Sequence, residues 1–529
     1  MRDPAPDVPD APSVPADVSA GEVPGRLPDA WRFCVGTGRF DLALRRDYQE
    51  SLALVQREIG FRHIRGHGLL SDAVGVHRPY EYEGKRHVRH AFTYVDQVVD
   101  AYLDLGIKPF LELGFMPSGL ASGDETVFWW RGNITPPRSW QEWAALVRAT
   151  VTHLVDRYGL DQVRTWPIEV WNEPNLKEFW LDADRDAYHR LYEVTANTVK
   201  DVDASLRVGG PAISPGSDEW LVRFAEFVVE RSLPIDFVSR HAYTSGPARH
   251  VPFGVHQTLA PPSRLLEQFA MPRRQLRGGP LADLPVHITE FNSSYRPDNP
   301  IHDTAFHAAY LAPVLAAGGD LVDSFSYWTF CDVFEETGVP TSLFHGGFGL
   351  LTHRQIKKPA YHLYAFMARM GEEILARGGD HLVTRDDAGR VTVLAWAPVD
   401  VTGGPPVDGH TVRLSVPLRS PSGSAFLLRS SVSEEKGNAW RAWCEMGRPA
   451  SPRPRQLDAL REAAEPVRSH HGLPVEDGIV RLDITLDRHE VTLLEITPVV
   501  DETPPWADRW DERRLLGRDP LTSDEEVAP

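Results

Sequence analysis

Cysteine is scarce in this 529-residue chain: Cys34, Cys331 and Cys444 stand far apart, and none belongs to a CxxC pair. That argues against a disulfide framework and against a cysteine-bound zinc. His63, His67, His87 and His90 do not fall at metal-ligand spacing on any one helix, so no metal is expected. Long apolar runs are missing too, and without about 18 such residues in a row no membrane-spanning helix is predicted. Positive charge is short, with 56 Lys and Arg against 74 Asp and Glu and a net charge of −18. Such a balance argues against nucleic acid or an anionic membrane as partner. There is no GxSxG elbow, and Gly36-Thr37-Gly38 is too short for a phosphate-cradling turn. What remains is a small neutral molecule as partner, no cofactor, and a cytoplasmic setting. The leader MRDPAPDVPDAPSVPADVSAGEVPG lacks a basic start and an apolar core, so it reads as a disordered segment and not as a signal peptide.

What is present is an alternation. Phe33–Gly36, Phe61–Arg65, Pro109–Phe115, Trp166–Trp171, Arg207–Ala212, Asp236–Ala242, Val286–Phe291 and Val322–Trp328 are short, mostly apolar runs. Runs of that kind are expected when both faces of a parallel strand are buried. Helical stripes lie between them, such as Val95, Val98, Val99, Tyr102 and Leu103, or Trp143, Val147, Val151, Leu154 and Tyr158. Gly106 and Gly159 supply stop signals. Eight such units predict an α/β fold, a (β/α)8 TIM barrel over 31–372. From 373 to 500, Gly-, Pro- and Asp-rich breaks separate Arg390–Ala397, Thr411–Val416, Ile479–Leu486 and His489–Ile496, which predicts an additional β-sandwich. Leu457–Ala464 reads as a helical insertion. Residues 1–30 form the leader, with room to join the sandwich, and 501–529 an acidic tail.

Active sites of such barrels lie at the C-terminal strand ends, so acidic residues there carry the functional reading. Glu173 follows the fourth strand in WPIEVWNEPNLKEFW, and Glu290 ends the seventh in VHITEFNSS. Strands four and seven face each other across an eight-stranded mouth, and two opposed carboxyls are what glycoside hydrolysis requires. Asn172 is placed to bond a sugar hydroxyl, His241 and Tyr243 to neighbour Glu290, and Trp328 to offer a flat face to a ring. Singly, each has a plainer reading: a turn carboxylate, a satisfied core histidine, a core tryptophan. Glu112, inside strand three, reads as structural, a partner for Arg65. Pro174 is expected to restrict Glu173 to extended backbone.

These residues sit in long motifs that resemble glycoside hydrolase family 39, of the bacterial β-xylosidase type. The motifs are DYQESLALVQREIGFRHIRGHGLLSD, KPFLELGFMPSGLASG, WPIEVWNEPNLKEFW, DFVSRHAYTS, ITEFNSS and SYWTFCDVFEE. The resemblance implies a retaining exo-glycosidase that removes β-1,4-linked xylose from the non-reducing end of xylo-oligosaccharides. It makes Glu173 the acid/base, its pKa raised by the charge of Glu290, and Glu290 the nucleophile. It further implies Asn172, His67, His241, Tyr243, Trp328, Glu335 and Glu336 around the terminal sugar, with Phe115 and Trp129 near the mouth. Together with the tail it admits a homo-oligomer. The alternatives are another specificity (β-glucosidase, β-galactosidase, an arabinose-releasing enzyme, α-L-iduronidase), a transglycosylase, or a non-catalytic sugar-binding barrel.

Overall fold

The computed structural model describes residues 16–17, 25–252, 254–403, 409–500 and 502. Its centre is a closed barrel of eight strands: β1 (Cys34–Gly36), β2 (His63–Gly66), β3 (Lys108–Leu113), β4 (Pro167–Val170), β5 (Arg207–Ile213), β6 (Phe237–Ala242), β7 (Val286–Phe291) and β8 (Ser324–Tyr327). Every neighbouring pair is parallel, and β8 closes on β1 at Tyr327 and Val35. All eight expected strands are there. A main helix follows each: α1 (Arg46–Glu58), α2 (Thr93–Asp104), α3 (Trp140–Tyr158), α4 (Arg185–Val202), α5 (Asp218–Glu230), α6 (Pro262–Gln275), α7 (Ala305–Ala317) and α8 (Pro359–Met367), with a short turn of helix, Leu160–Val163, between α3 and the fourth strand. Ser139 caps α3 by accepting from the Glu142 N–H, and the Asp184 carboxylate caps α4. The stripes read from sequence on α2 and α3 are buried except at Leu103 and Tyr158, which are half-buried.

The two-residue pleat sorts the barrel interior into layers. Along β2 and the residue just past it, His63, Arg65 and His67 succeed each other at alternate positions. Near the N-terminal ends of the strands lies an aromatic floor. There Phe33 stacks on His63 at 4.5 Å and on His287 at 5.3 Å, and Phe110 meets Phe237 edge-on at 5.7 Å. Above it comes a charged layer of Arg65, Glu112 and Glu169, all fully buried. Above that is the mouth. Shifts of register in β5, β6 and β7 place His241 beside Glu290 across the β6–β7 pair.

Beyond the barrel run β9 (Glu373–Arg377), β10 (His381–Arg385), β11 (Val391–Trp396), β12 (His410–Pro417), β13 (Ser424–Val432), β14 (Val467–Pro474), β15 (Ile479–Leu486) and β16 (Val491–Pro498). One sheet has the order Gly25–Arg26, β9, β10, β11, β16, β13, β14, and the other Ala16–Asp17, β12, β15. Inward residues of both, Val393, Leu427, Ile496, Val412, Val480 and Ile484 among them, make a second core. Sequence patterning did not show β9, β10, β13 or β14; of these β14, an edge strand, is almost wholly exposed and carries Arg, Ser and His where alternation was sought. Two helices, α9 (Ala439–Glu445) and α10 (Pro454–Ala464), interrupt the sandwich between β13 and β14 and pack on Leu343, Phe344 and Ile356 of the loop after β8. Among the described residues, no helix is long and apolar enough to cross a membrane. Apart from Glu502, the acidic tail lies outside the described residues.

Candidate active site

A cavity of about 580 Å³ opens at the C-terminal end of the barrel, lined among others by His67, Asn172, Glu173, Tyr243, Glu290, Trp328 and Glu336. Glu173 arrives there on strained backbone. Its φ is +45°, with Trp171 at +71° just before it and Ala212 at +51° across β5. The expected extended geometry is therefore not found. The Glu173 N–H donates to the Ala212 carbonyl at 3.0 Å, and Asn175 exchanges hydrogen bonds with the Ser214 backbone at 2.9 and 3.1 Å. These ties to the end of β5 outweigh the preference that Pro174 imposes on its neighbour.

Glu290 is held from both sides. Arg65 Nη1 donates to Oε1 at 2.8 Å, and the Tyr243 hydroxyl to Oε2 at 3.0 Å. His241 Nδ1 stands between the two glutamates, 2.8 Å from Glu173 Oε1 and 3.4 Å from Glu290 Oε2. One carboxylate oxygen of each glutamate and a nitrogen of His241 all lie within 4.8 Å of one another. Asn172 Oδ1 accepts from Arg65 at 2.9 Å.

Burial sets the proton affinities. It pushes the Glu173 carboxyl up to about 7, outweighing the Ser214 side chain and the nearby cations His67 and Arg65, which lower it. The expected cause, the charge of Glu290, is not among the leading ones. Burial also pushes Glu336 up to about 8, and with it the charges of Glu290 and Glu173 oppose ionisation although His67 favours it. Burial drops His241 to about 4, so it is neutral. Tyr243 is raised well above its ordinary value, first by burial and then by Glu290, and stays a phenol.

Beneath the mouth, Arg65 binds Glu169 at 2.6 Å and Glu112 at 3.0 Å. Burial works against its charge, but the carboxylates of Glu169, Glu112 and Glu290 hold its pKa above the ordinary value. Thr289 donates to Glu169 at 3.0 Å. The expected Arg65–Glu112 pair is present, and Glu112 also binds His67 Nδ1 at 2.7 Å. Burial opposes both ionised forms, but Glu112 raises the His67 pKa, and His67 and Arg65 lower that of Glu112.

Four expected residues, Glu335, Phe115, Trp129 and His241, lie off the cavity lining. Glu335 turns away, because Arg39 at 2.5 Å and Arg45 at 2.7 Å take its two oxygens. Phe115 is buried behind His67 and Trp171, at ring distances of 5.9 and 5.4 Å. Trp129 stands on the rim, 57 % exposed, and its N–H donates to the Glu336 carbonyl at 2.7 Å. That bond joins the loop after β3 to the loop after β8. His241 acts through its two carboxylates and lies outside the lining as well. Trp328 lies against His67, ring centroids 4.8 Å apart, and any side chain at Gly36 would strike it, since a Cβ there would lie 2.3 Å from the indole. Residues not read from sequence also line the cavity: Phe128, Leu176, Phe179, Ser214, Tyr295 and Arg296. Glu169 was missed in the layer below. A charge within the apolar run Pro167–Val170 was its available signal, since a buried charge demands a partner.

A closed parallel barrel with two close carboxyls at its mouth is the architecture of a glycoside-cleaving enzyme. The family model "Glycosyl hydrolases family 39" matches residues 16–478, and the chain belongs to that family. It is 50 % identical over 476 residues to a beta-xylosidase of Geobacillus stearothermophilus, covering 89 % of this chain and 94 % of that protein. Over 459 residues it is 36 % identical to a beta-xylosidase of Caldicellulosiruptor saccharolyticus, covering 85 % and 91 %. The crystal structure of a monomeric beta-xylosidase from Caulobacter crescentus CB15 superposes with a TM-score of 0.82 at 32 % identity, covering 92 % of this chain and 99 % of that one.

Proposed function

We propose that this chain is a retaining, exo-acting β-xylosidase that hydrolyses xylo-oligosaccharides by double displacement. One observation carries the retaining mechanism: one carboxyl oxygen of Glu173 and one of Glu290 lie within 4.8 Å of each other. Retaining enzymes hold their carboxyls about 5–5.5 Å apart, whereas inverting ones need about 6.5–9.5 Å to admit a water. The names of the relatives support xylose as the sugar.

Glu290, steadied by Arg65 and Tyr243, attacks the anomeric carbon. Glu173, still holding a proton near neutral pH, gives it to the departing glycosidic oxygen as the C–O bond breaks. The glycosyl–Glu290 ester removes one negative charge from the mouth, which leaves Glu173 free to act as base. A water gives its proton to Glu173 and attacks the same carbon, and Glu290 leaves as carboxylate. Asn172, oriented by Arg65, is set to bond a sugar hydroxyl. Glu336, with a pKa near 8, presents a neutral carboxyl that can donate as well as accept. The Trp129–Glu336 backbone bond closes the mouth over β1 and β2, which suits a terminal sugar in a blind pocket.

Catalysis is assigned to residues 31–372 and an accessory role to 373–500, with 1–30 and 501–529 as leader and tail. The net charge of −18 suits a neutral saccharide, and free Cys34 and Cys331, both buried, suit the cytoplasm. A homo-oligomer is proposed from the family resemblance and the tail. The test is Glu173→Ala. Activated aryl β-xylosides should keep more activity than xylobiose, and azide should restore turnover as a glycosyl azide. Equal loss on both substrates without azide rescue would refute the acid/base role.

A further inference from the structure

A second cavity, of about 620 Å³, adjoins the first. Pro297, Glu336 and Thr337 line both, so the two cavities meet at these residues. The sill is fixed: Arg296, in the first cavity, holds Asp298, in the second, through two hydrogen bonds of 3.0 and 3.1 Å. The far wall comes from the accessory unit, with Trp443 of α9 and Arg448 and Ala450 after it. That wall is anchored, because the Trp443 ring packs on Phe344 of the β8 loop at 5.4 Å and its indole N–H donates to the Pro449 carbonyl at 2.9 Å.

We infer that this second cavity holds the leaving-group sugars of a xylo-oligosaccharide, so that the sandwich insertion helps select chain length. The inference rests on the exo-xylosidase reading above: if the blind pocket takes the terminal sugar, the rest of the chain is leaving group and must lie outside it. The lining fits a neutral polyhydroxylated chain. It offers hydroxyls from Thr337, Thr341 and Ser342 together with the rings of Phe334 and Trp443, the mixture by which proteins meet sugar edges and faces. Its volume is within the range of ligand sites.

The test compares kcat/KM for nitrophenyl β-xyloside, xylobiose and xylotetraose in the full chain and in Thr341→Trp and Ala450→Trp. Both positions are exposed, one on the loop after β8 and one on the accessory unit, so a large ring there obstructs the cavity without entering a core. In the unmodified chain xylotetraose should exceed xylobiose, and in both variants that advantage should fall by about tenfold while the ratio of xylobiose to nitrophenyl xyloside changes little. No advantage of xylotetraose in the unmodified chain, or an equal fall on all three substrates, overturns the inference. Failure of the unmodified chain to hydrolyse nitrophenyl β-xyloside would instead overturn the function on which it rests.

Discussion

His63, which opens β2, and His67, just past its end, sit four residues apart, both buried, and their proton affinities move in opposite directions. His63, in the floor, stacks on Phe33 and touches its carbonyl at 3.1 Å, and burial takes its pKa down to about 4. His287 beside it falls to about 3 for the same reason. His67, in the mouth, meets Glu112 at 2.7 Å and is raised. The carboxyls of the mouth and of the layer beneath it divide likewise. Glu112 has Arg65 and His67 against it and is lowered, while Glu173 has neither in contact and rises to about 7. Burial alone makes a group neutral, and a partner restores the charge. The barrel thus has a neutral, aromatic floor that holds it together and a mouth where neutral and charged groups alternate by design of contact.

The comparison breaks most sharply at Glu290. Glu290→Ala should cost at least about 10⁴-fold in turnover of an aryl β-xyloside while leaving the floor untouched, so the melting temperature should hold. Turnover within tenfold of the parent would remove Glu290 from the mechanism. Next comes the charged layer. Arg65→Leu strands Glu112, Glu169 and Glu290 around a vanished cation, and breaking a buried pair in this way costs about 3–5 kcal/mol. Chemical denaturation should register that loss at pH 7, smaller at pH 5, where the orphaned carboxyls can take up protons. An unchanged denaturation midpoint would mean the layer is not what holds the mouth.

The floor makes an acid prediction. His63 and His287 have folded pKa values below their unfolded value of 6.5. Their contribution is whole above pH 6.5 and is lost as pH falls through the window down to about 4 for His63 and lower for His287. His63→Phe or His287→Phe should therefore flatten the decline of stability between pH 6.5 and 4, and a slope as steep as that of the parent would contradict the assignment. The smallest effect is at Ser214, whose side chain lowers the Glu173 pKa. Ser214→Ala should move the alkaline limb of kcat/KM, expected near pH 7, upward by up to about one pH unit. A downward move would mean the hydroxyl favours the protonated acid instead.

Much of this was legible in the sequence, and for identifiable reasons. Apolar strands at regular spacing announced the barrel, and Glu173 and Glu290 stood out because carboxylates end two strands that face each other. The layer beneath was hidden. Arg65, Glu112 and Glu169 sit inside three different strands, and only closure of the barrel brings them together, β3 lying between β2 and β4. The backbone of Glu173 was misread because its partner, Ala212, lies on the next strand, and local preference cannot register a hydrogen bond 39 residues away. Glu335 and Glu336 look alike in sequence. Arg39 and Arg45 draw the first out of the pocket and leave the second in it.

The central claim is that Glu173 and Glu290 stand close enough for one to attack the sugar while the other moves the proton. The direct measurement is the anomeric configuration of the first xylose released from an aryl β-xyloside, followed by proton NMR before mutarotation. Two displacements at one carbon predict β-xylose first, with the α-anomer growing in later. α-Xylose as the first product would mean a single displacement by water, and the pairing of the two glutamates proposed above would be wrong.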